Sequence, residues 1–373
     1  MNLTEDVSLE VDGLRLRGFQ EVNVTRSMKN AAISFALKVT NPAATADAFA
    51  VRFAKEVTLK AGPDLLCKGV VDDYESEAEG GSEKREVRIS GKSKGVLAAR
   101  HPPAKHKTGR VENKTLLDAA KEFTETGVEW KADAPLFPIQ MIQRHPLDTV
   151  FDTVERYARS QGIMLMGQPD GSILMTRGSD KRHGGELAEG MRPMTSYKVK
   201  VSTTKKASPS VVRNQRRIGV STKDLRSEEN IYDPTVGEYR PTIIYGETDQ
   251  DQRSAKNRGE WQRLRQGATG GLSATIGVAG WRDPDGQMWE PGRLVFLRIP
   301  SERVEQDMRV ESVTFTQNKQ GTTAELTLVD PNTTGAKSKS GKAGANRNKS
   351  DSRYATPDPN FFGQETNFGG DAY

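Results

Sequence analysis

From Val7 to about Ala99 apolar and polar residues alternate with period two, in VSLEVDG, LRLRGFQEVNVTR, AAISFALKVT, FAVRFAKEVTLKAG, DLLCKGVVDDY and KREVRISGK, the pattern of half-buried strands. The breaks at Asp12-Gly13, Asn41-Pro42, Gly62-Pro63 and Gly80-Gly81 are spaced as between the short antiparallel strands of a barrel or sandwich. His101-Pro102-Pro103 stops the alternation, because each proline lacks a backbone donor and turns its predecessor away from helix. A helix is expected next, from about Lys114 to Thr126, with Leu116, Leu117, Ala120 and Phe123 on one side, Asn113 or Thr115 as cap and Gly127 as stop. A second is expected from Pro146 to about Gln161, with the proline in its first turn, Val150, Phe151, Val154 and Ala158 inward, and Gly162 as its end. IMLMG, the turn Gln168-Pro169-Asp170-Gly171 and SILMTR then read as a hairpin.

SYKVKVSTT returns to alternation. The stretch Lys200–Asn230, with eight Lys/Arg against three acids, reads as a long irregular basic connection. Asp249–Gln266 reads as a charged helix whose narrow apolar stripe includes Ala255, Trp261 and Leu264. LSATIGVAGW, the turn Asp283-Pro284-Asp285-Gly286, MWEPGRLVFLRIP, MRVESVTFTQ and TTAELTLVD make a second antiparallel β region ending near Pro331. Beyond it GAKSKSGKAGANRNKS has no periodicity and too little apolar surface to fold alone. The fold class is therefore mainly β with an α+β insertion. The expected divisions are a first β-barrel-like domain over 1–100, a small α+β domain over 101–190, a second β-barrel-like domain over 191–331 and a polar tail over 332–373. In that tail Tyr354, Phe361 and Phe362 are the handles by which a partner would order it.

Composition adjusts this picture. The 373 residues allow two to four domains, and 34% AVILMFWYC with 35 Gly falls short of the roughly 45–50% usual for globular domains, so the cores are expected to be thin. No stretch approaches the roughly 20 apolar residues of a membrane span, and MNLTEDVSLEVDG lacks the basic and apolar regions of a secretory signal. A protein made and kept in a cytoplasm, without stable membrane association, is the expectation. Lys+Arg 55 against Asp+Glu 50 gives a net charge of +5, a mixed solvated surface rather than a polyanion site.

Candidate chemistry is thin. Ser90-Gly91-Lys92-Ser93 ends like a phosphate-binding loop, but the required upstream glycine falls on Glu86 and no helix clearly follows. One cysteine, Cys67, forms no intrachain disulfide, completes no zinc motif with four scattered histidines, and sits in an apolar strand where its thiol stays neutral. His101, His106, His145 and His183 read as exposed loop residues. Asp72 and Asp73, adjacent in a strand, point to opposite faces and make no shared acid/base site. Trp281 and Trp289 flank the Asp-Pro-Asp-Gly turn and read either as core or as a partner-binding surface. No cofactor, metal or catalytic set is expected, so the chain reads as no enzyme. The competing classes are a nucleic-acid-binding protein and a cell-wall-degrading enzyme.

In order along the chain, VSLEVDGLRLRGFQEVNVTRSMKNAAISFALKVT, LLCKGVVDDYE, VRISGKSK, DTVFDTVERYARSQGIMLM, PDGSILMTR, YRPTIIYGE, VAGWRDPDGQMWEPGRLVFLRIP and TTAELTLVDP resemble the baseplate hub proteins of Mu-like contractile-tailed phages. The resemblance runs from Val7 to Pro331 and departs at Lys92, where arginine would be expected, and around residues 40–55, which lack the usual Pro-Gly turn. It implies a virion component of the tail baseplate. The implied assembly is a homotrimer whose two β-barrel-like domains per chain form a pseudo-sixfold ring. Such a hub joins the hexameric tail tube to the trimeric membrane-piercing spike, contacts other baseplate proteins and leaves a channel through which DNA passes. No sequence repeat between the two β regions is detectable, so their equivalence at this point follows from the resemblance alone.

Overall fold

The structure, a computed structural model, describes residues 5–40, 51, 56–78, 85–202, 207–215, 226–232, 238–245 and 271–331. The N-terminal alternation becomes β1 (Val7–Val11), β2 (Leu14–Leu16), β3 (Glu21–Ser27), β4 (Ser34–Val39), β5 (Val57–Ala61), β6 (Asp64–Ala78) and β7 (Arg85–Ser93). Period two does the sorting: β3 turns Val22, Val24 and Arg26 inward, and β4 turns Phe35, Leu37 and Val39 inward.

The middle of the chain builds a separate core. It holds β8 (Arg110–Lys114), a helix over Leu116–Phe123, β9 (Trp130–Ala132), β10 (Ile139–Gln143), a helix over Val150–Gln161, β11 (Met164–Gly167) and β12 (Ile173–Thr176). Leu116, Phe123, Trp130, Val154, Leu165, Ile173 and Met175 pack there around both helices. The expected hairpin is β11–β12, with Met164 opposite Thr176. Both helices are shorter than expected. The first begins at Leu116 because Lys114 belongs to β8, Thr115 accepts the N–H of Asp118 as its cap, and the helix ends at Phe123, before Gly127. The second begins at Val150 rather than at Pro146, because Thr149 and Asp152 form a capping box there. It ends as expected at Gly162, whose φ of 67° is left-handed. This core meets the N-terminal strands at the β3–β4 turn. The Gly167 N–H donates to the Asn30 carbonyl at 2.9 Å, and a Cβ on Gly167 would lie 2.5 Å from the Ala31 carbonyl oxygen.

The C-terminal third contains β13 (Arg182–Ala188), β14 (Met194–Val201), β15 (Ser210–Gln215), β16 (Arg226–Ile231), β17 (Thr242–Tyr245), β18 (Leu272–Ala279), β19 (Leu294–Ile299), β20 (Val304–Asn318) and β21 (Gly321–Val329). The basic stretch expected to be irregular instead carries β15 and β16, paired antiparallel from Ser210–Ile231 to Gln215–Arg226, with β17 parallel on the other side of β15. Val212 and Ser210 are buried in it, and Arg213 pairs with Glu228 across the strands. The charged helix expected over 249–266 lies outside the described residues. The remaining strands join β1–β7 in one sheet of thirteen described strands, in the order β14-β18-β21-β20-β3-β4-β7-β6-β5-β1-β2, with β13 and β19 branching from β20. A single apolar cluster runs through both halves, from Leu9, Phe35 and Ile89 to Ile276, Leu297 and Phe315. The two β regions that the sequence separates are thus continuous in hydrogen bonding and in core.

Candidate assembly interface

The sheet repeats its own pairing scheme. β6 and β20 are both 15-residue strands. Each carries a short strand on the first part of one edge, β5 or β19, and a long strand on its other edge, β7 or β21. Each has a bulge, between Val71 and Asp73 in β6 and between Val310 and Ser312 in β20. One row of partners runs Val24, Phe35, Gly91, Val71 through β3, β4, β7 and β6. The corresponding row runs Val199, Ala274, Leu328, Val310 through β14, β18, β21 and β20. The scheme departs in local register, with a shift at Leu59/Lys60 in β5–β6 and one at Met194/Ser196 in β14–β18 that their counterparts lack, and beyond the short strands, where β1 lies antiparallel on β5 but β13 lies parallel on β19.

This correspondence gives the two halves different edges. Beyond β19, the second part of β20 pairs antiparallel with β3, Ser312 with Ser27 through Gln317 with Val22. On the inner side Val22, Val24, Val313 and Phe315 are buried. Arg26 is buried with them, 5.5 Å from the Phe315 ring centroid, and its Nη2 donates to the Leu65 and Leu66 carbonyls, each at 2.9 Å. Burial pushes the Arg26 pKa down, with more distant carboxylates opposing it. On the outer side the hydroxyls of Thr25 and Thr314 meet at 3.2 Å.

In the first half, β5 ends its pairing at Gly69. Beyond that point no strand among the described residues covers the outer edge of β6, although Asp73, Glu75 and Glu77 are exposed on it. At the far end of the sheet, β14 is paired only with β18 among the described residues. Its Thr195, Tyr197, Lys198, Lys200 and Val201 are exposed, Val201 to 70%. An open strand edge is a template for another chain, and proteins normally blunt or cover it.

Around the β3–β20 junction, polar groups lock the C-terminal segments together. Arg309, 2% exposed, donates to the carbonyls of Pro331, Ser179 and Gly292 at 3.2, 2.6 and 2.7 Å. It thereby ties the last described residue to the start of the C-terminal third. Arg282 reaches back to the first half, pairing with Glu5 at 2.9 Å and Asp64 at 2.7 Å. Asp283 organises the turn between Trp281 and Trp289. Its Oδ1 accepts the N–H groups of Asp285 and Gln287, and its Oδ2 accepts from Gly184 N–H and His183 Nδ1, the last at 3.0 Å. His183 Nε2 lies 3.1 Å from the Glu290 backbone nitrogen and 3.3 Å from the Glu290 carbonyl oxygen. Burial pushes the Asp283 carboxyl up, but the hydrogen bonds from His183, Gly184 and Gln287 outweigh it and hold the carboxyl below its ordinary range.

Several sequence expectations are corrected here. His183 is 4% exposed and packs at 4.6 Å against the Trp289 ring, so it is no exposed loop residue. Trp281 and Trp289 are 1% and 0% exposed. The Trp281 indole N–H donates to the Thr323 and Thr316 carbonyls and its ring lies 5.3 Å from Phe315. Both tryptophans therefore pack in the core of this chain instead of presenting a partner-binding surface, because the turn folds them inward. Only their spacing in the sequence was informative, and it fits either role.

The remaining motifs take structural places. Ser90, Gly91, Lys92 and Ser93 end β7, where Ser93 Oγ accepts the Ile33 N–H at 3.0 Å. Cys67 is buried and its thiol is pushed up to about 12 by burial. Asp72 pairs with Arg100 and Asp73 with Ser90. No group of three or more His, Cys, Asp or Glu suited to a metal occurs among the described residues. Tyr354, Phe361 and Phe362 lie outside them. The sequence reading missed the open edges of β6 and β14, whose signal is local: alternation without an inward apolar face in DYESEA, and charged alternation in SYKVKV.

Comparisons with known proteins place this sheet. Residues 6–93 match the family described as Mu phage baseplate assembly protein GpP-like, N-terminal. Residues 251–336 match Mu phage baseplate assembly protein GpP, fourth domain. The chain is 24% identical over 332 residues to baseplate hub protein gp44 of Escherichia phage Mu, covering 85% of this chain and 86% of that protein. It superimposes with a TM-score of 0.76 and 22% identity on the 43 kDa tail protein of prophage MuSo2 from Shewanella oneidensis, covering 88% of this chain and 99% of that one. An E. coli type VI secretion component, described as structurally similar to the T4 tail proteins gp27 and gp5, superimposes at 0.54 with 8% identity, over 87% of this chain and 76% of that one. The large antiparallel sheet with few helices is thus the fold of gp27-like tail proteins. The two ends of the chain thus match Mu phage baseplate assembly families, and most of its length is similar to a Mu baseplate hub protein.

Proposed function

We propose that the chain is a homotrimeric adaptor that joins the hexameric tail tube to the trimeric spike and leaves a channel for DNA. The repeated pairing scheme carries this reading: each chain holds two like halves of one sheet, so three chains present six, and a threefold object can meet a sixfold tube. The function is geometric and calls for no bond-making step. In this reading the chain divides into a tube-type β unit over 1–100, an α+β unit over 101–190, a second β unit over 191–331 and a tail over 332–373. Tyr354, Phe361 and Phe362 of the tail dock on the spike or a neighbouring baseplate protein.

The native mass of the purified chain, alone and with its spike protein, tests the reading by light scattering. A species at three times the chain mass of 41.0 kDa, alone or formed with the spike, is expected. A monomer indifferent to the spike overturns it. Truncation after Pro331 is expected to leave the trimer intact and to abolish spike retention, and unchanged retention removes the docking role of the tail.

A further inference from the structure

The correspondence between the two halves fixes more than their likeness, and the next step rests on the homotrimer proposed above. Within one chain, β20 beyond its short partner β19 is covered by β3. The counterpart of β20 is β6, and the counterpart of β3 is β14. Both counterparts have open edges among the described residues. We propose that the outer edge of β6 over Asp73–Ala78 pairs antiparallel with the edge of β14 in a second copy, in the register Tyr74 with Val201, Glu75 with Lys200, Glu77 with Lys198 and Ala78 with Tyr197.

The register is carried over row by row. Val199 corresponds to Val24 through their partners Ala274 and Phe35, and Val310 corresponds to Val71 through Leu328 and Gly91. The pairing Thr25 with Thr314 then becomes Lys200 with Glu75. Asn23 with Thr316 becomes Lys198 with Glu77. Where the outer face of the junction within the chain is uncharged, the one between chains places opposite charges directly across the strands, twice.

Charge was not used to derive the alignment, so this complementarity is an independent support. The opposite face agrees. Tyr74 and Ala78 meet Val201 and Tyr197, which covers the 70% exposed Val201. Neither Lys198 nor Lys200 makes an ion pair among the described residues, and Glu75 reaches only Arg88 at 3.8 Å.

The same charges argue against the alternatives. Two β14 edges meeting about a twofold would set lysines against lysines, and two β6 edges would set glutamates against glutamates, both unfavourable. The contact is therefore heterologous, head to tail, and closes into a ring. Three such junctions alternate with three β3–β20 junctions around the sheet.

Two experiments on the full chain test this. Tyr74→Cys combined with Val201→Cys is expected to give a covalent trimer ladder on mild oxidation. Glu75→Cys with Val201→Cys, whose side chains fall on opposite faces, is expected to give none. In the second, Glu75→Lys with Glu77→Lys, or Lys198→Glu with Lys200→Glu, is expected to raise the concentration for half-assembly by about tenfold or more. Combining all four substitutions is expected to restore it. A trimeric wild type with no ladder and no response to either charge reversal overturns this junction while leaving the homotrimer standing. A wild type that remains monomeric even with its spike overturns the homotrimer itself.

Discussion

Asp283 shows how much of this protein's order rests on single polar groups in a thin core. Its two oxygens hold the ends of the 281–289 turn and clamp it to β13 through His183 and Gly184. Asp283→Ala leaves buried donors unsatisfied, and a loss of about 3 kcal/mol is expected, visible in thermal unfolding together with greater solvent exposure of Trp281 and Trp289 fluorescence. The pH dependence has a definite sign. Because the folded carboxyl is held below its ordinary range, its contribution is present above the unfolded value of about 3.9. It is lost as pH falls through the folded value. Between pH 7 and the acid limb the wild type is expected to lose stability that Asp283→Asn does not lose. Parallel melting curves that fall equally for both proteins would show that Asp283 does not carry the acid sensitivity.

Strands were legible and their partners were not. Alternation over five to eight residues marks β1, β3, β4 and β18 without reference to anything else in the chain. The pairing of β3 with β20 joins segments nearly 290 residues apart, and no local pattern encodes such a choice. The basic stretch hides its strands for a related reason: β15 and β16 are charged on their exposed faces, with Val212 as the buried apolar residue among those described, so alternation is too weak to announce them. Helix ends were legible where one residue decides, as at Gly162. They were misplaced where a cap competes with a proline, as at Thr149 against Pro146. The contact between the middle unit and the β3–β4 turn has no sequence signature beyond a glycine, yet it is sterically tight. Gly167→Ala would press a Cβ onto the Ala31 carbonyl at 2.5 Å, and a cost of about 1–3 kcal/mol is expected. An unchanged melting temperature would mean that β11 shifts away without consequence.

At the scale of the whole molecule, the difference between the two kinds of junction separates folding from assembly. The β3–β20 junction buries Val24, Val313 and Phe315 and sets hydroxyl against hydroxyl outside, so salt has little to screen there. The proposed β6–β14 junction carries two charge pairs at an exposed surface, where attraction weakens as the Debye length shrinks from roughly 10 Å at 0.1 M salt to roughly 3 Å at 1 M. With the proposed junction, the chain folds mainly through buried apolar contacts, and its ring closes through exposed charge pairs that salt weakens. The expected outcome is that 1 M salt shifts trimer dissociation to higher protein concentration while the unfolding midpoint of the dissociated chain stays nearly constant. Light scattering across a dilution series follows the first quantity and calorimetry the second. Salt-independent dissociation would place the dominant energy of the ring in apolar surface, with Val201 and Tyr197 as the residues to substitute next. Dissociation and unfolding that move together would mean instead that the chain has no stable fold outside the ring, as in obligate assemblies whose interfaces resemble a divided core.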